Sequence, residues 1–376
     1  MSHIRMPSPT IAMTVRPAIC DHRGKVGALR VVLLDITLQI VGGENYVGVV
    51  APTGEITLSI AGRQFAFEGV SSDDVYLNSL QHAPDRHFEL FCSYLFQSEK
   101  NRQATGERVL LDVGANIGVT AAILSTYCPS ASVLAVEAGP NLFEVLSRNL
   151  DRNALSSVIP LHLAVGDHNG VAQFFEASAF GHVVEESDVD GIQSEVPTVD
   201  VELRTIDSVV SERAANFGIE TIDLIKVDIE GAEPAAISGM EQTINTYSPL
   251  LWVELNSWSL MSTGQHPIAA VQRIVQGCAE VFRVGGTPND PRFLRPVEGS
   301  DPLSIARSLV HDNVVFSGSW EDIVIVPPGG QLPDSLRELK DHQPDEIAAL
   351  QNELRLLQGS KIWRYSAPLR RLRRRL

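Results

Sequence analysis

Apolar and polar positions along this chain fall into distinct textures, and each predicts a different structure. Between Val109 and Val326, short apolar runs alternate with longer amphipathic stretches. Strands are expected at 109–113, 132–137, 158–165, 222–227, 250–255, 281–284 and 322–326, and helices at 118–127, 140–153, 233–246 and 266–278. Such alternation predicts a mostly parallel sheet with helices on both faces. Residues 29–76 read differently. Brief apolar runs, including Val31-Val32-Leu33-Leu34 and Ile56-Thr57-Leu58-Ser59-Ile60, are broken by turn residues such as Gly42-Gly43-Glu44-Asn45. That pattern predicts a small antiparallel β unit. A helix carrying Phe88, Leu90, Phe91, Tyr94, Leu95 and Phe96 should then lead into the main domain, taken as 77–328. Residues 1–28 mix Pro, Ser and charge and read as a loose arm.

Two segments depart from the alternation. Between the third and fourth strands, Val171-Ala172-Gln173-Phe174-Phe175 and a polar run from Gly181 to Gly191 read as an insertion. It is either a lid over a substrate or a plain surface excursion. Past Pro327-Pro328-Gly329-Gly330, Ile347, Leu350, Leu354 and Leu357 recur at three- and four-residue steps. They predict an amphipathic helix or short coiled coil within 331–358. Two heptads are marginal alone in water, so self-association or another surface is implied.

The densest chemistry is Asp112-Val113-Gly114-Ala115-Asn116-Ile117-Gly118, between an apolar strand and a helix. Gly114 and Gly118 let backbone approach a ligand, and the helix start offers unpaired N–H groups. An acid at the strand end suits a cationic ligand, and S-adenosylmethionine, with its sulfonium and amino group, is the expected one. The rival dinucleotide fingerprint needs Gly-x-Gly-x-x-Gly, a spacing that Gly114 and Gly118 do not meet. The second strand ends at Glu137, an acid placed to accept ribose hydroxyls in either cofactor class.

A second constellation is Ile225-Lys226-Val227-Asp228-Ile229-Glu230-Gly231-Ala232-Glu233. Its strand should deliver acids to the same carboxyl-end rim as Asp112 and Glu137, where ligands of doubly wound sheets sit. Asp228 is the first choice for proton acceptor or acceptor orienter in a methyl transfer, and Glu230 the second. The bland reading is that both only bond nearby backbone. Glu233 is expected to cap its helix. Asp228, Glu230 and Glu254 would also suit a divalent metal, but a metal-free site is favoured and no metal ligand is assigned. Among the scattered histidines, His182 is the one to test as a base.

Composition narrows the partners. The 376 residues are 44% hydrophobic, enough for a full α/β core with additions. Net charge is −16, yet residues 361–376 hold seven cations and no acid, leaving −23 for the rest. So acidic a body repels nucleic acid. Cys20, Cys92, Cys128 and Cys278 stand far apart, which suggests neither a zinc site nor a disulfide framework. No signal pattern and no apolar run of about 18 residues occurs, so a cytoplasmic location is expected. The basic tail, 359–376, interleaves Trp363 and Tyr365 with its cations and suits an anionic membrane surface, here the inner face. Its rival reading is a disordered tail or a contact with the acidic body.

These residues resemble the FkbM family of S-adenosylmethionine-dependent methyltransferases over roughly Leu77 to Val326. The resemblance rests on Leu111 to Gly118, Val136-Glu137-Ala138 with Pro140, Asn149 with Asn153, Ala164-Val165-Gly166-Asp167 with Gly170, Thr205-Ile206-Asp207-Ser208, and Ile225 to Glu233 with Gly239. It implies a class I, Rossmann-like methyltransferase fold with a seven-stranded, mostly parallel sheet. The N-terminal β unit and the C-terminal helix with its basic tail are additions. The resemblance also implies cofactor contacts at Asp112, Gly114, Ala115, Asn116, Gly118, Glu137 and Ala138, with Ala164 and Asp167 near the adenine. Transfer to a hydroxyl of a sugar or polyketide-type product is implied. Gly359 to Arg370 looks like a terminal segment of bacterial glycosyltransferases of surface-polysaccharide assembly, which points to a glycan acceptor, lipid-linked or free. The expected function is therefore an O-methyltransferase acting on a sugar hydroxyl, in surface-polysaccharide or O-antigen synthesis. Its rivals are methylation of a small natural product and a non-catalytic cofactor-binding scaffold.

Overall fold

The computed structural model describes residues 54–70, 75–82, 85–97, 106–177, 180–184, 198–286, 292–315 and 320–339. The expectations for the arm, the first part of the β unit, the run 185–191, the C-terminal helix beyond 340 and the basic tail fall outside these residues. Among the described residues, no helix is long and apolar enough to cross a membrane.

A hairpin of β1 (Glu55–Ile60) and β2 (Arg63–Glu68) comes first, followed by α1 (Val75–His82) and α2 (Arg86–Leu95). Then come β3 (Glu107–Val113), α3 (Val119–Tyr127), β4 (Ser132–Glu137), α4 (Pro140–Arg152) and β5 (Val158–His162). The middle holds β6 (Ala164–Val165), β7 (Gly170–Ala177), β8 (Phe180–Val184), β9 (Thr198–Arg204) and α5 (Ile206–Phe217). After it run β10 (Ile219–Val227), α6 (Glu233–Ser238), α7 (Glu241–Tyr247), β11 (Leu250–Asn256), α8 (Ser257–Ser262) and α9 (Pro267–Ile274). The last are β12 (Glu280–Val284), β13 (Leu294–Pro296), α10 (Pro302–Val315), β14 (Trp320–Val326) and α11 (Asp334–Leu339).

The main sheet runs β13-β12-β14-β11-β10-β3-β4-β5. Strands β5, β4, β3, β10 and β11 are parallel, and β14 is antiparallel to both of its neighbours. This is the class I methyltransferase architecture expected from the resemblance. Seven strands were expected; the eighth, β13, is a three-residue addition at the edge beside β12. Chain order reverses between β3 and β10, so their carboxyl ends open the crevice where such sheets take ligands.

Alternation along each strand sorts side chains to the two faces. Val109, Leu111 and Val113 enter one core with Ile225 and Val227, beneath α5, α9 and α10. Leu110, Leu224, Trp252 and Val324 enter the other, with α2 and α3. There Phe88 and Phe91 of α2 set their ring centroids 5.1 and 5.0 Å from Trp252.

Three expectations are corrected. The predicted strand 158–165 breaks at Leu163, because β6 leaves the main sheet to pair with β9. Helix 233–246 is two helices. Gly239 comes so close to Gly166 that a Cβ on it would lie 2.0 Å from the Gly166 carbonyl oxygen. The Asp207 carboxylate then caps α7 through the amides of Gln242 and Thr243. Finally, the supposed insertion is regular: β6-β9-β7-β8 form a second sheet around Ala164, Ala172, Phe174, Val201 and Leu203.

The hairpin turns through Ala61 and Gly62, with φ of 49° and 79°, the doubly left-handed pair that suits right-twisted strands. Its apolar face (Ile56, Leu58, Phe65, Phe67) joins the same core as α2 and α3. Two buried asparagines, Asn149 of α4 and Asn153 at its C-cap, close its outer edge. Asn149 accepts from the Glu68 amide and donates to the Glu68 carbonyl, each at 2.9 Å. Asn153 treats Ala66 the same way, at 2.9 and 2.8 Å. Asn149 also donates to the Ile117 carbonyl at 2.9 Å, tying the hairpin to the glycine turn. Asn149→Ala would strand these buried partners and is expected to cost about 2–4 kcal/mol, read from urea unfolding midpoints.

Candidate active site

The turn from β3 into α3 alternates its backbone hand: Gly114, Asn116 and Gly118 have φ of 86°, 48° and 95°. Such alternation aims successive amides inward, the geometry of an anion-binding nest. Part of that capacity is met within the chain. The Gly114 and Ala115 amides donate to the Val136 carbonyl, and the Asn116 amide donates to Glu137 Oε2 at 2.8 Å. Glu137 Oε1 accepts from the Gly139 amide at 2.8 Å. A buried carboxylate thus braces the first turn against the second. Asn116 Oδ1 accepts the Ile117 amide and closes the loop on itself.

Asp112 is fully buried. Its register partner on β10 is Lys226, and neighbours in register point to the same face. Lys226 Nζ lies 3.6 Å from Asp112 Oδ1 and 3.1 Å from Asp228 Oδ2. Thr120 donates to Asp112 Oδ2 at 2.5 Å, while Oδ1 has no hydrogen-bond partner. The acid expected to face a cationic ligand therefore already faces a cation from its own chain. Burial raises the Asp112 pKa, with Lys226 pulling against it. Burial pulls Lys226 down, but Asp228 and Asp112 outweigh it and hold the ammonium well above its ordinary value.

Sequence reasoning assigned no role to three further groups on this face. Burial lifts Asp322, next to Asp85 and Asp228, to about 8, and lifts Asp85 to about 6 against the pull of Lys226. The Tyr76 hydroxyl is raised by burial and then by Asp85. The signal was available in part: Glu254 on β11 pairs with Asp322 on β14, a register the pleat makes readable once strand order is known.

The turn after β10 is held by Glu233, which is buried and accepts the Ile229 and Gly231 amides at 3.1 Å each. It staples the preceding turn rather than capping its own helix, and burial pushes its pKa to about 7. Glu230 takes a left-handed φ of 51° and Gly231 follows at 105°. Ser259 donates to Glu230 Oε2 at 2.7 Å, so neither Asp228 nor Glu230 is confined to local backbone bonds. Glu254, near the carboxyl end of β11, lies beside them. Burial, then Asp228 and Glu230, raise its pKa well above the usual carboxylate range.

Ala164, on β6, is buried in the small core of the second sheet, against which Ala138 packs. Asp167 is exposed, 2.7 Å from His168 Nδ1. The His182 side chain lies outside the described part of the structure.

Residues 112–268 match the profile of the methyltransferase FkbM domain. Over this stretch the chain is similar to methyltransferase FkbM domains. Its similarity to curated proteins is moderate. It is 30% identical over 156 residues to methyltransferase sdnD of Sordaria araneosa, covering 35% of this chain and 60% of that protein. To hexuronic acid methyltransferase AglP of Haloferax volcanii it is 29% identical over 145 residues, 38% and 54% of the two chains. To 2-O-methyltransferase NoeI of Sinorhizobium fredii it is 29% identical over 180 residues, 43% and 69%. The chain thus spans little more than half the length of the first two. The FkbM match contains both carboxylate-bearing turns, Lys226 and Glu254. Tyr76, Asp85 and Asp322 reach the same face from segments outside it.

Proposed function

We propose that this chain is an S-adenosylmethionine-dependent O-methyltransferase whose acceptor is a sugar hydroxyl of a surface glycan. One observation carries the reading. The FkbM match begins at Asp112, and both of its acidic turns meet at the switch point, where the Asp228 amide donates to the Val113 carbonyl at 3.0 Å. The sugar is supported by AglP, named for hexuronic acid, and by the glycan-assembly character of residues 359–370. Contact of the basic tail with the inner membrane face and self-association through 331–358 belong to the same proposal.

The residues fit the cofactor. Asp112 Oδ1, buried without a hydrogen bond, and the Asp228 carboxylate leave this corner with more negative than positive charge, which suits a ligand bearing ammonium and sulfonium. Glu137 is the acceptor for ribose hydroxyls, and the Gly114–Gly118 backbone cradles the methionine part. Bound there, S-adenosylmethionine supplies a methyl group activated by positive sulfur. The attacking hydroxyl must give up its proton, and Asp228, oriented by the Lys226 ammonium, is the acceptor. Glu230, oriented by Ser259, holds a neighbouring hydroxyl.

Two variants test this. Glu137→Gln is expected to weaken S-adenosylmethionine about ten-fold by calorimetry, a loss of about 1.4 kcal/mol. Asp228→Asn should lower isotope transfer from labelled cofactor to envelope glycans by at least about 100-fold. Undiminished affinity in the first would displace the pocket, and full turnover in the second would remove Asp228 as proton acceptor. Absence of label from every glycan would eliminate the sugar.

A further inference from the structure

We propose that Asp228, Glu230 and Glu254 form a site for one hard divalent cation of the magnesium or manganese class. Sequence alone favoured a metal-free site; the packing reverses that order. The three carboxylates come from the carboxyl ends of adjoining parallel strands, and their nearest oxygens all lie within 4.8 Å of one another. Oxygens bound to one such ion at about 2.0–2.6 Å span that distance across the ion. An all-oxygen donor set selects hard cations over zinc or copper.

Clustered acids alone would say little. The second observation is Glu254: its Oε2 is sealed from solvent and has no hydrogen-bond partner. A carboxylate that carries a buried, unpartnered oxygen and has an oxygen within 4.8 Å of two more carboxylates gains from a cation that completes the group. Lys226 does not fill that role. Its ammonium is shared between Asp112 and Asp228, and among the described residues it makes the only ion pair to any of the three. The other two acids are held in place by neighbours rather than neutralised. Lys226 bonds Asp228 Oδ2, and Ser259, with Asn256 at 3.5 Å, bonds Glu230 Oε2. Outer partners of this kind orient metal ligands.

The ion would deepen the function proposed above, on which this part rests. A divalent cation at the rim draws in two neighbouring hydroxyl oxygens of a sugar and lowers the pKa of the one that attacks. Its proton still leaves to a carboxylate of the site, so the charge balance of the transfer is unchanged.

Manganese alone, added to the full chain and followed by the loss of its free-ion paramagnetic resonance signal, tests the site. About one ion per chain should bind, displaced by excess magnesium and held more tightly as pH rises, because protons and metal compete for the same oxygens. Glu254→Gln and Glu230→Gln should each weaken it at least about ten-fold. Both should stay folded by circular dichroism, since each removes a like charge. An unchanged free-manganese signal, or variants that bind like the parent, would overturn the site. Calorimetry with S-adenosylmethionine separates the two ideas. Cofactor binding without manganese binding removes the metal site only, whereas manganese binding without cofactor binding upholds the site and removes the methyltransferase reading.

Discussion

Gly114→Ala is expected to break the corner where the two acidic turns meet, at a cost of about 3 kcal/mol or more. Two effects add at this position. The backbone sits at φ 86°, a left-handed conformation that costs an ordinary residue about 1–2 kcal/mol. A Cβ built on Gly114 would also lie 1.8 Å from the Asp228 carbonyl oxygen. That neighbour is backbone in the turn that presents Asp228 and Glu230, so no side chain can rotate away, and overpacking adds about 1–3 kcal/mol. Gly218 supplies the control. Its φ is 71°, and nothing lies within 4 Å of a Cβ placed there, so Gly218→Ala bears only the conformational cost. Urea midpoints for the pair isolate the steric part. Cofactor calorimetry on Gly114→Ala, at low denaturant, should show affinity lost beyond what partial unfolding explains. Equal midpoints for the two variants would mean that the turns do not touch, and the site described above would lose its central contact.

Much of this architecture could be read from the chain, and the failures have physical causes. Apolar runs of four to eight residues located the seven long strands, because a strand buried on both faces is continuously hydrophobic. The acids ending β3, β4, β10 and β11 were visible for the complementary reason: the run stops where the sheet meets the ligand crevice. Long-range facts were not visible. Helix 233–246 holds a single interior glycine, Gly239, whose weight as a breaker comes from its approach to Gly166 and from the Asp207 cap that follows. The second sheet escaped notice because β9 is mostly exposed and its partners lie beyond loops. Lys226 stood inside a quoted motif, yet its role depends on register. A shift of one residue between β10 and β3 would send it to the opposite face. The same dependence hid Asp322, which matters only because β14 runs antiparallel beside β11.

Lys226→Met puts that register to its hardest test. Methionine nearly preserves the volume but removes the one cation between Asp112 and Asp228, and Asp112 has no exposure with which to recruit water. Breaking a buried pair from one side costs about 3–5 kcal/mol, so the variant should be severely destabilised at neutral pH. The dependence on pH distinguishes lost charge from lost packing. Asp112 already has its folded pKa raised by burial, and Lys226 is what opposes that rise. Without the ammonium it climbs further. An acid with a raised folded pKa contributes stability that is complete below its unfolded value, about 4, and is lost as pH climbs through the folded value. The deficit of Lys226→Met should therefore be small near pH 4.5 and grow steadily toward pH 8. Asp85 and Asp322, at about 6 and 8 with Lys226 holding both down, would shift the same way and steepen the slope. The parent should show a shallower slope of the same sign, since Glu233, at about 7, also titrates in this window. Adding Asp112→Asn to Lys226→Met should recover much of the loss at pH 8 while changing little at pH 4.5, because the amide needs no counter-ion and can keep the Thr120 contact. A deficit that is flat with pH, or a double variant no better than the single one, would show that Lys226 serves by filling space rather than by charge.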